Sequence, residues 1–153
     1  MKVYTLHREQ FLPITLKEAW DFFSTPLNLE KITPEDMGFV VLTDVKGKSI
    51  YKGMLIEYRV SPLLGIKMKW VTEIGDVEEP YKFVDNQLKG PYALWEHTHI
   101  FKEVEGGVLM YDDVRYAIPL GILGTIAHVL VVKNKLKSIF DFRAETLKKY
   151  FKG

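Results

Sequence analysis

Residues 92–116 read YALWEHTHIFKEVEGGVLMYDDVRY, two runs rich in aromatic and β-branched residues with an acid–glycine pair between them. Such a pair between strand-like runs is typical of a two-residue hairpin turn, here Glu105-Gly106. The turn fixes which residues lie opposite one another. The predicted pairs on one face are Phe101 with Met110, His99 with Asp112, His97 with Val114, and Trp95 with Tyr116. The rest of the sheet can be built outward from this hairpin.

The two faces of the hairpin differ in chemistry. The face just described is aromatic, with a few polar groups. The pairs on the opposite face are Lys102 with Leu109, Thr98 with Asp113, and Glu96 with Arg115. Glu96 and Arg115 carry opposite charges, and such a pair suits a solvated surface. We therefore expect the aromatic face to turn inward.

The inward face carries three polar side chains, His97, His99 and Asp112. A buried carboxylate is costly unless it is paired, and His99 is the partner that the predicted register offers to Asp112. Four interpretations stay open: a hydrogen-bonded pair that orders the cavity wall, the polar groups of a ligand pocket, a His-x-His metal site with a carboxylate, and acid–base catalysis. We favour the first, and the second is nearly as well supported and compatible with it. No recognisable motif places a nucleophile beside the pair.

Outside the hairpin, strand and helix patterns follow in a simple order. A first strand at 3–12 precedes a capping box of Thr15 and Glu18 and two short helices, the second beginning near Pro26. Further strands are predicted at 39–43, 53–60, 66–74, 81–87, 92–104 and 108–118, separated by short turns. From about 120 to 151, apolar residues recur every three or four positions, as in one long helix. Short connections imply an antiparallel sheet. A cavity often separates such a sheet from its helix.

Length and composition narrow the class of protein. The 153 residues suit one domain, 1–153, and a hydrophobic content of 47% is ordinary for a soluble fold. With 21 Lys and Arg against 20 Asp and Glu, the net charge of +1 gives no electrostatic case for nucleic acid as the main partner. The sequence has no cysteine, which excludes disulfides and thiolate chemistry. No signal peptide or membrane span is visible, so we expect a soluble, cytoplasmic protein.

Three stretches resemble a known superfamily: FVDNQLKGPYALWEHTHIF at 83–101, DDVRYAIPLG at 112–121 and IFDFR at 139–143. They resemble bacterial SRPBCC proteins of the START/Bet v 1-like superfamily, in a subgroup described as ligand-binding or polyketide cyclase/dehydrase-like. The resemblance spans essentially the whole chain. It implies an α+β helix-grip fold, in which a curved antiparallel sheet of about seven strands surrounds a long C-terminal helix, with two short helices after strand 1 and a deep hydrophobic cavity. The superfamily shares no universal catalytic set, so no catalytic residue is carried over.

The expected function is the binding of a small hydrophobic molecule such as a lipid, a polyketide or an isoprenoid. Such binding would serve transport or sequestration. The predicted ligand-binding residues come from the inward faces of the strands and from the long helix. They are Ile56, Tyr58, Met68, Trp70, Phe83, Trp95, His97, His99, Phe101, Met110, Asp112, Val114, Tyr116, Ile126 and Leu130. No cofactor and no metal are predicted, and catalytic residues stay unassigned.

Two other classes of function stay open. One is a cyclase-, dehydratase- or hydrolase-type enzyme that uses His97 or His99 with Asp112 in the same cavity. The other is a protein-interaction module in which the apolar stretch 118–132 is partly exposed and covered by a partner or a second subunit. With a second subunit as the cover, the protein would be a homodimer. The aromatic content of the inward face favours a non-catalytic binding protein.

Overall fold

The computed structural model describes residues 2–61 and 66–152, and within them seven antiparallel strands form one sheet. The strands are β1 (Tyr4–Leu12), β2 (Val40–Val41), β3 (Leu55–Val60), β4 (Met68–Glu78), β5 (Lys82–Lys89), β6 (Leu94–Val104) and β7 (Gly107–Ala117). Their spatial order is β1-β7-β6-β5-β4-β3-β2, a meander that β1 completes by pairing with β7. The predicted α+β helix-grip architecture is confirmed.

The helices occupy the two places that the sequence indicates. Between β1 and β2 lie α1 (Leu16–Phe23), α2 (Asn28–Lys31) and a 3₁₀ helix at Glu35–Met37. After β7 the chain forms α3 (Gly121–Ala127), a π-helical segment at His128–Val132 and α4 (Lys133–Tyr150), which follow one another without a break. The predicted long helix therefore exists, with one wide turn inside it.

The register predicted for the β6–β7 hairpin is confirmed at all seven pairs, from Trp95 opposite Tyr116 to Lys102 opposite Leu109. Gly106 has a φ of +82°, a conformation that glycine adopts without steric cost, which explains the acid–glycine turn. On the outer face, Arg115 donates a hydrogen bond to Glu96 at 3.2 Å. The hairpin thus places its aromatic face inward.

The capping box that opens α1 is also confirmed. The Glu18 amide donates to Thr15 Oγ1 at 3.1 Å, and the Thr15 amide donates to Glu18 Oε1 at 3.2 Å. The helix buries Trp20 edge-on against Phe83 and Phe101 of the sheet. This packing fills the sheet's inner face at the end where β6 and β7 meet.

Two strand boundaries differ from the prediction. The strand expected at 39–43 is reduced to the two residues of β2, and β4 continues to Glu78 through a region predicted as a turn. The register of β4 on β5 shifts between Ile74 and Val77, which marks a bulge. A bulge absorbs extra residues without ending a strand, so the Gly75-Asp76 turn signal was misleading. Most of the turn predicted at 61–65 lies outside the described residues.

Candidate functional site

A cavity of about 520 Å³ lies between the concave face of the sheet and the C-terminal helix. Pockets for small molecules commonly measure about 300–1,000 Å³ and are mostly apolar with a few polar groups. The apolar wall includes Phe23, Leu29, Phe39, Ile50, Val60, Ile74, Leu136 and Phe140. The cavity therefore has the size and the lining of a small-molecule site.

Nine of the predicted binding residues line this cavity. They are Ile56, Tyr58, Met68, Trp70, Phe83, Trp95, His97, His99 and Asp112. All nine come from β3 to β7, the strands whose inward faces could be assigned from alternation. Their position in the wall agrees with the prediction, and their role in binding stays a prediction.

Four predicted strand residues lie inside the packed core and do not line the cavity. Phe101 and Met110 pack in a cluster with Trp20 and Leu147, because α1 and the end of α4 cover that part of the sheet. Val114 and Tyr116 pack directly against the C-terminal helix, in a cluster that includes Val132, Leu136 and Phe140. The inward direction was right at all four positions, but the helices fill the space above them.

The two predicted helix residues, Ile126 and Leu130, point away from the cavity and are 50% and 69% exposed. The helix turns Gly124 and His128 toward the sheet, so positions two residues further along lie on the opposite side. His128 is one of these inward residues, and its Nδ1 has no hydrogen-bond partner among the described residues. It is buried, its Nε2 lies 2.7 Å from the Tyr116 hydroxyl, and its ring stacks on Tyr4.

Two carboxylates and two histidines form a cluster on the sheet wall of the cavity, in which His97, His99 and Asp112 are buried and Asp85 is partly buried. His97 Nε2 lies 2.7 Å from Asp112 Oδ1, and His99 Nε2 lies 2.6 Å from Asp85 Oδ2. The imidazole rings stack with their centroids 3.7 Å apart. Each second imidazole nitrogen is close to the other carboxylate, at 3.7–3.8 Å. The four groups therefore form a ring of alternating imidazole and carboxylate contacts.

The predicted partner of Asp112 was wrong. His99 lies directly opposite Asp112 in the register, but Asp112 bonds to His97, its diagonal neighbour, and His99 bonds to Asp85 on β5. Diagonal neighbours on one sheet face are within reach of long side chains, and the stacked imidazoles turn each ring toward a different strand. A register identifies which residues share a face, but it does not decide which of two near neighbours bonds.

Asp85 and Arg143 were missed as site residues, and both line the cavity. Asp85 lies two positions after Phe83 in a predicted strand, so alternation alone places it on the same inward face. Arg143 belongs to the apolar repeat of the long helix, where an arginine is an exception that needs an explanation. Its guanidinium lies over the Phe140 ring, 4.9 Å from the centroid.

The charges of the cluster stabilise one another. Burial raises the pKa of Asp112, but its hydrogen bond with His97 and the positive charges of His97, His99 and Arg143 outweigh burial and bring that pKa to about 2. The pKa of Asp85 is lowered in the same way, with the His99 hydrogen bond opposing burial. Burial, and then the charge of His97, lowers the pKa of His99. Both carboxylates are therefore ionised at neutral pH.

Acid is expected to destabilise the fold through this cluster. Because the pKa of Asp112 is about 2 in the folded chain and 3.8 in the reference state, about 2 kcal/mol of stability is lost as the pH falls from about 4 to 2. His99 acts in the same direction, because its folded pKa lies below 6.5 and its contribution is lost as the pH falls below that value. Urea unfolding at a series of pH values measures this profile. A profile below pH 4 that is equally steep in Asp112→Asn would contradict the assignment.

The residues able to hold a metal are Asp85, His97 and His99, whose ligand atoms all lie within 4.8 Å of one another. Imidazole nitrogens and a carboxylate oxygen suit zinc or iron. The metal site considered from the sequence used Asp112 as its carboxylate, whereas the carboxylate of this set is Asp85. In the structure His99 bonds to Asp85 and His97 bonds to Asp112, and the positive charge of Arg143 nearby opposes the binding of a metal cation.

Comparison with known proteins finds relatives in structure alone. No family model matches the sequence, and no curated protein matches it. The chain is similar to protein CV1439 from Chromobacterium violaceum, with a TM-score of 0.71, 15% identity, and coverage of 98% of this chain and 99% of that one. It is also similar to protein Ms6760 from Mycobacterium smegmatis, with a TM-score of 0.66, 18% identity and coverage of 98% of each chain.

A third similar structure, Ara h 8.0201, has a TM-score of 0.57 and 15% identity, and the match covers 97% of this chain and 99% of that one. The fold is Bet v 1-like. At identities of 15–18%, the likeness extends to the helix-grip fold alone. The cavity described above lies between the sheet and the C-terminal helix of this fold.

Proposed function

We propose that the protein binds a small, mainly apolar molecule in the cavity, with an oxygen atom of that molecule directed at the Asp–His–Arg cluster. The observation that carries this proposal is a largely apolar cavity of about 520 Å³ with a buried ionisable cluster on its wall. Apolar walls supply the affinity, and a few convergent polar groups supply the orientation. The SRPBCC resemblance, with its lipid, polyketide and isoprenoid ligands, supports the same class of molecule.

Arg143 supports an oxygen at the polar end of the ligand. Its Nε is buried and has no hydrogen-bond partner among the described residues. The Nε atom itself has essentially no accessible surface, so a ligand oxygen would contact the guanidinium through its terminal nitrogens. The side chain lines the cavity, so a bound molecule can reach it.

The charge of the cluster favours a hydroxyl or carbonyl oxygen over a carboxylate. Asp85 and Asp112 are both ionised, and their charges would repel an acidic head group. The Arg143 guanidinium balances one of the two carboxylate charges. An added anion would disturb that balance inside a poorly solvated site.

The hydrogen bonds of the histidines favour binding over nucleophilic catalysis. The side-chain hydrogen bonds of His97 and His99 go to Asp112 and Asp85. Within residues 2–61 and 66–152, no serine or threonine hydroxyl is hydrogen-bonded to either ring. The Thr72 hydroxyl in the wall accepts instead from Trp70 Nε1 at 3.1 Å. A nucleophile activated by a neighbouring base would show such a contact.

The ligand that accompanies the protein can be identified directly. We expect native mass spectra of protein purified without added ligand to show a stoichiometric organic adduct that denaturing spectra lack, and solvent extraction to recover an apolar molecule containing oxygen. A retained metal ion in place of an organic adduct would contradict the proposal and favour a site at Asp85, His97 and His99.

The polar end can be tested with three probes of one ring system: 2-naphthol, naphthalene and 2-naphthoate. Quenching of Trp70 and Trp95, which both line the cavity, reports their binding. We expect 2-naphthol to bind most tightly and Arg143→Met to weaken its binding about tenfold, because a hydrogen bond to a charged group is lost. The matched control Lys137→Met, on the exposed side of the same helix, should leave binding unchanged.

Two outcomes would contradict the proposal. One is tighter binding of 2-naphthoate than of 2-naphthol. The other is that none of the three probes shows saturable binding.

A further inference from the structure

We infer that the first part of the C-terminal helix is a docking face for an anionic lipid bilayer, through which the cavity exchanges its apolar ligand. The inference rests on the proposed binding function and adds the source of the ligand. We call residues 120–130 the docking face. Its exposed apolar side chains are Leu120, Ile122, Leu123, Ile126, Val129 and Leu130, each 50–80% exposed. Single exposed apolar residues are ordinary, whereas a contiguous patch of six marks a contact surface.

The docking face belongs to a helix that is firmly attached to the sheet on its other side. Gly124 and His128 are buried, and His128 bonds to the Tyr116 hydroxyl and stacks on Tyr4 with a centroid distance of 3.5 Å. The apolar side chains are therefore exposed by the way the helix packs. A helix with one anchored side and one apolar outer side is built to contact a second apolar phase.

The docking face is continuous with the cavity mouth. Leu120 and Leu123 are exposed to solvent and also line the cavity. Ile66, another lining residue, is likewise more than half exposed. An apolar molecule leaving the cavity beside these side chains would next meet the apolar side chains of the docking face. This continuity connects the surface patch to ligand exchange.

The charges beside the docking face match an anionic surface. From Tyr116 to Phe140 the sequence contains no acidic residue, although the whole chain has 20. Of the three lysines in the first turns of α4, Lys133 is exposed and has no acidic partner among the described residues, whereas Lys135 pairs with Asp36 and Lys137 with Asp141. Basic residues next to an apolar helix face are typical of helices that lie in the plane of a membrane interface.

A bilayer suits this face better than a second copy of the chain. Twofold contact between two copies places the same patch on both sides, and residues 116–140 contain no acidic residue that could pair with Lys133 of the other copy. Lipid head groups of opposite charge supply that partner. In the part of the chain that the structure describes, no helix is long and apolar enough to cross a bilayer. The contact we propose is therefore peripheral.

Co-sedimentation with lipid vesicles tests the inference on the full chain. We expect binding to vesicles of POPC and POPG in a 7:3 ratio, weaker binding to POPC alone, and a loss of binding as salt is added. The double variant Ile122→Glu/Leu130→Glu should reduce binding to the mixed vesicles at least tenfold. The matched control is Leu42→Glu/Leu55→Glu, which adds the same charge at two exposed apolar positions outside the docking face and should bind like the wild type.

Two further measurements separate the alternatives. Sedimentation velocity showing a wild-type dimer that Ile122→Glu/Leu130→Glu dissociates, without vesicle binding, would overturn the inference and make the face a subunit interface. Equal vesicle binding by both double variants would also overturn it. Titration with 2-naphthol in the absence of vesicles tests the cavity separately. If Ile122→Glu/Leu130→Glu loses vesicle binding but binds 2-naphthol normally, the result supports the docking face. If the wild type binds vesicles but does not bind 2-naphthol, the result contradicts the proposed function and leaves the docking face in place.

Discussion

Replacing Asp112 by alanine is expected to lower the free energy of unfolding by about 3–5 kcal/mol, the cost of removing one partner from a buried charged pair. The carboxylate is buried, bonds to His97 at 2.7 Å and faces the charge of Arg143. Its removal leaves an imidazole and a guanidinium in the core with less compensation. Since domains are stable by about 5–15 kcal/mol, much of the total would be lost. Urea unfolding followed by tryptophan fluorescence measures the change.

The neighbouring residue provides a matched control. Asp113 is the same residue type one position later, but it lies on the outer face, where it pairs with the exposed His7. Exposed ion pairs contribute about 0–1 kcal/mol, so Asp113→Ala should fall within that range. Similar losses in the two variants would show that burial of the cluster does not determine its importance. If Asp112→Ala fails to fold, the same comparison can be made with the isosteric Asp112→Asn and Asp113→Asn.

Replacing Gly107 by alanine is expected to cost about 3 kcal/mol, because β1 passes too close to the start of β7. A Cβ atom at this position would lie 2.2 Å from the Leu12 carbonyl oxygen and 2.9 Å from Phe11 Cζ. The backbone of β1 cannot yield without disturbing its pairing with β7. Chemical denaturation of the purified variant measures the loss.

Gly47 separates this clash from the ordinary cost of replacing glycine. It has a φ of +70° and open space around it, so Gly47→Ala should cost about 1 kcal/mol through backbone strain alone. A Gly107→Ala variant no less stable than Gly47→Ala would mean that the two strands separate easily. It would also remove the close approach of β1 as a constraint on the hairpin.

The sequence predicted the hairpin well, because its information is local. Strand alternation and the Glu105-Gly106 turn together determine the register, and all seven pairs follow. The capping box at Thr15 was readable for the same reason. The bulge after Ile74 was not predicted, because Gly75-Asp76 is a turn signal in isolation and only the pairing of β4 with β5 turns it into a bulge.

The site was predicted in part because its geometry is non-local. The inward face of β6 and β7 placed His97, His99 and Asp112 together, but the bonding depends on β5, which brings Asp85 to His99. Phe101 and Met110 face inward as predicted, yet α1 and α4 occupy the space above them. The side of a helix that faces the sheet depends on what the helix packs against, and the sequence alone does not reveal it. Ile126 and Leu130 were therefore predicted on the cavity side, but they lie on the opposite side.

The wide turn at His128–Val132 controls which side of the whole C-terminal helix faces the sheet. Residues Gly124, His128, Val132, Leu136 and Phe140 are all buried, at steps of four. In an α-helix of 3.6 residues per turn, each step of four overshoots by about 40°. A π-helical turn takes more residues and absorbs part of this rotation. If the same five residues were α-helical, everything beyond them would be rotated further around the helix axis, carrying Arg143 off the cavity wall. One turn of helix thus sets the angle between the outward apolar face of α3 and the inward guanidinium of α4.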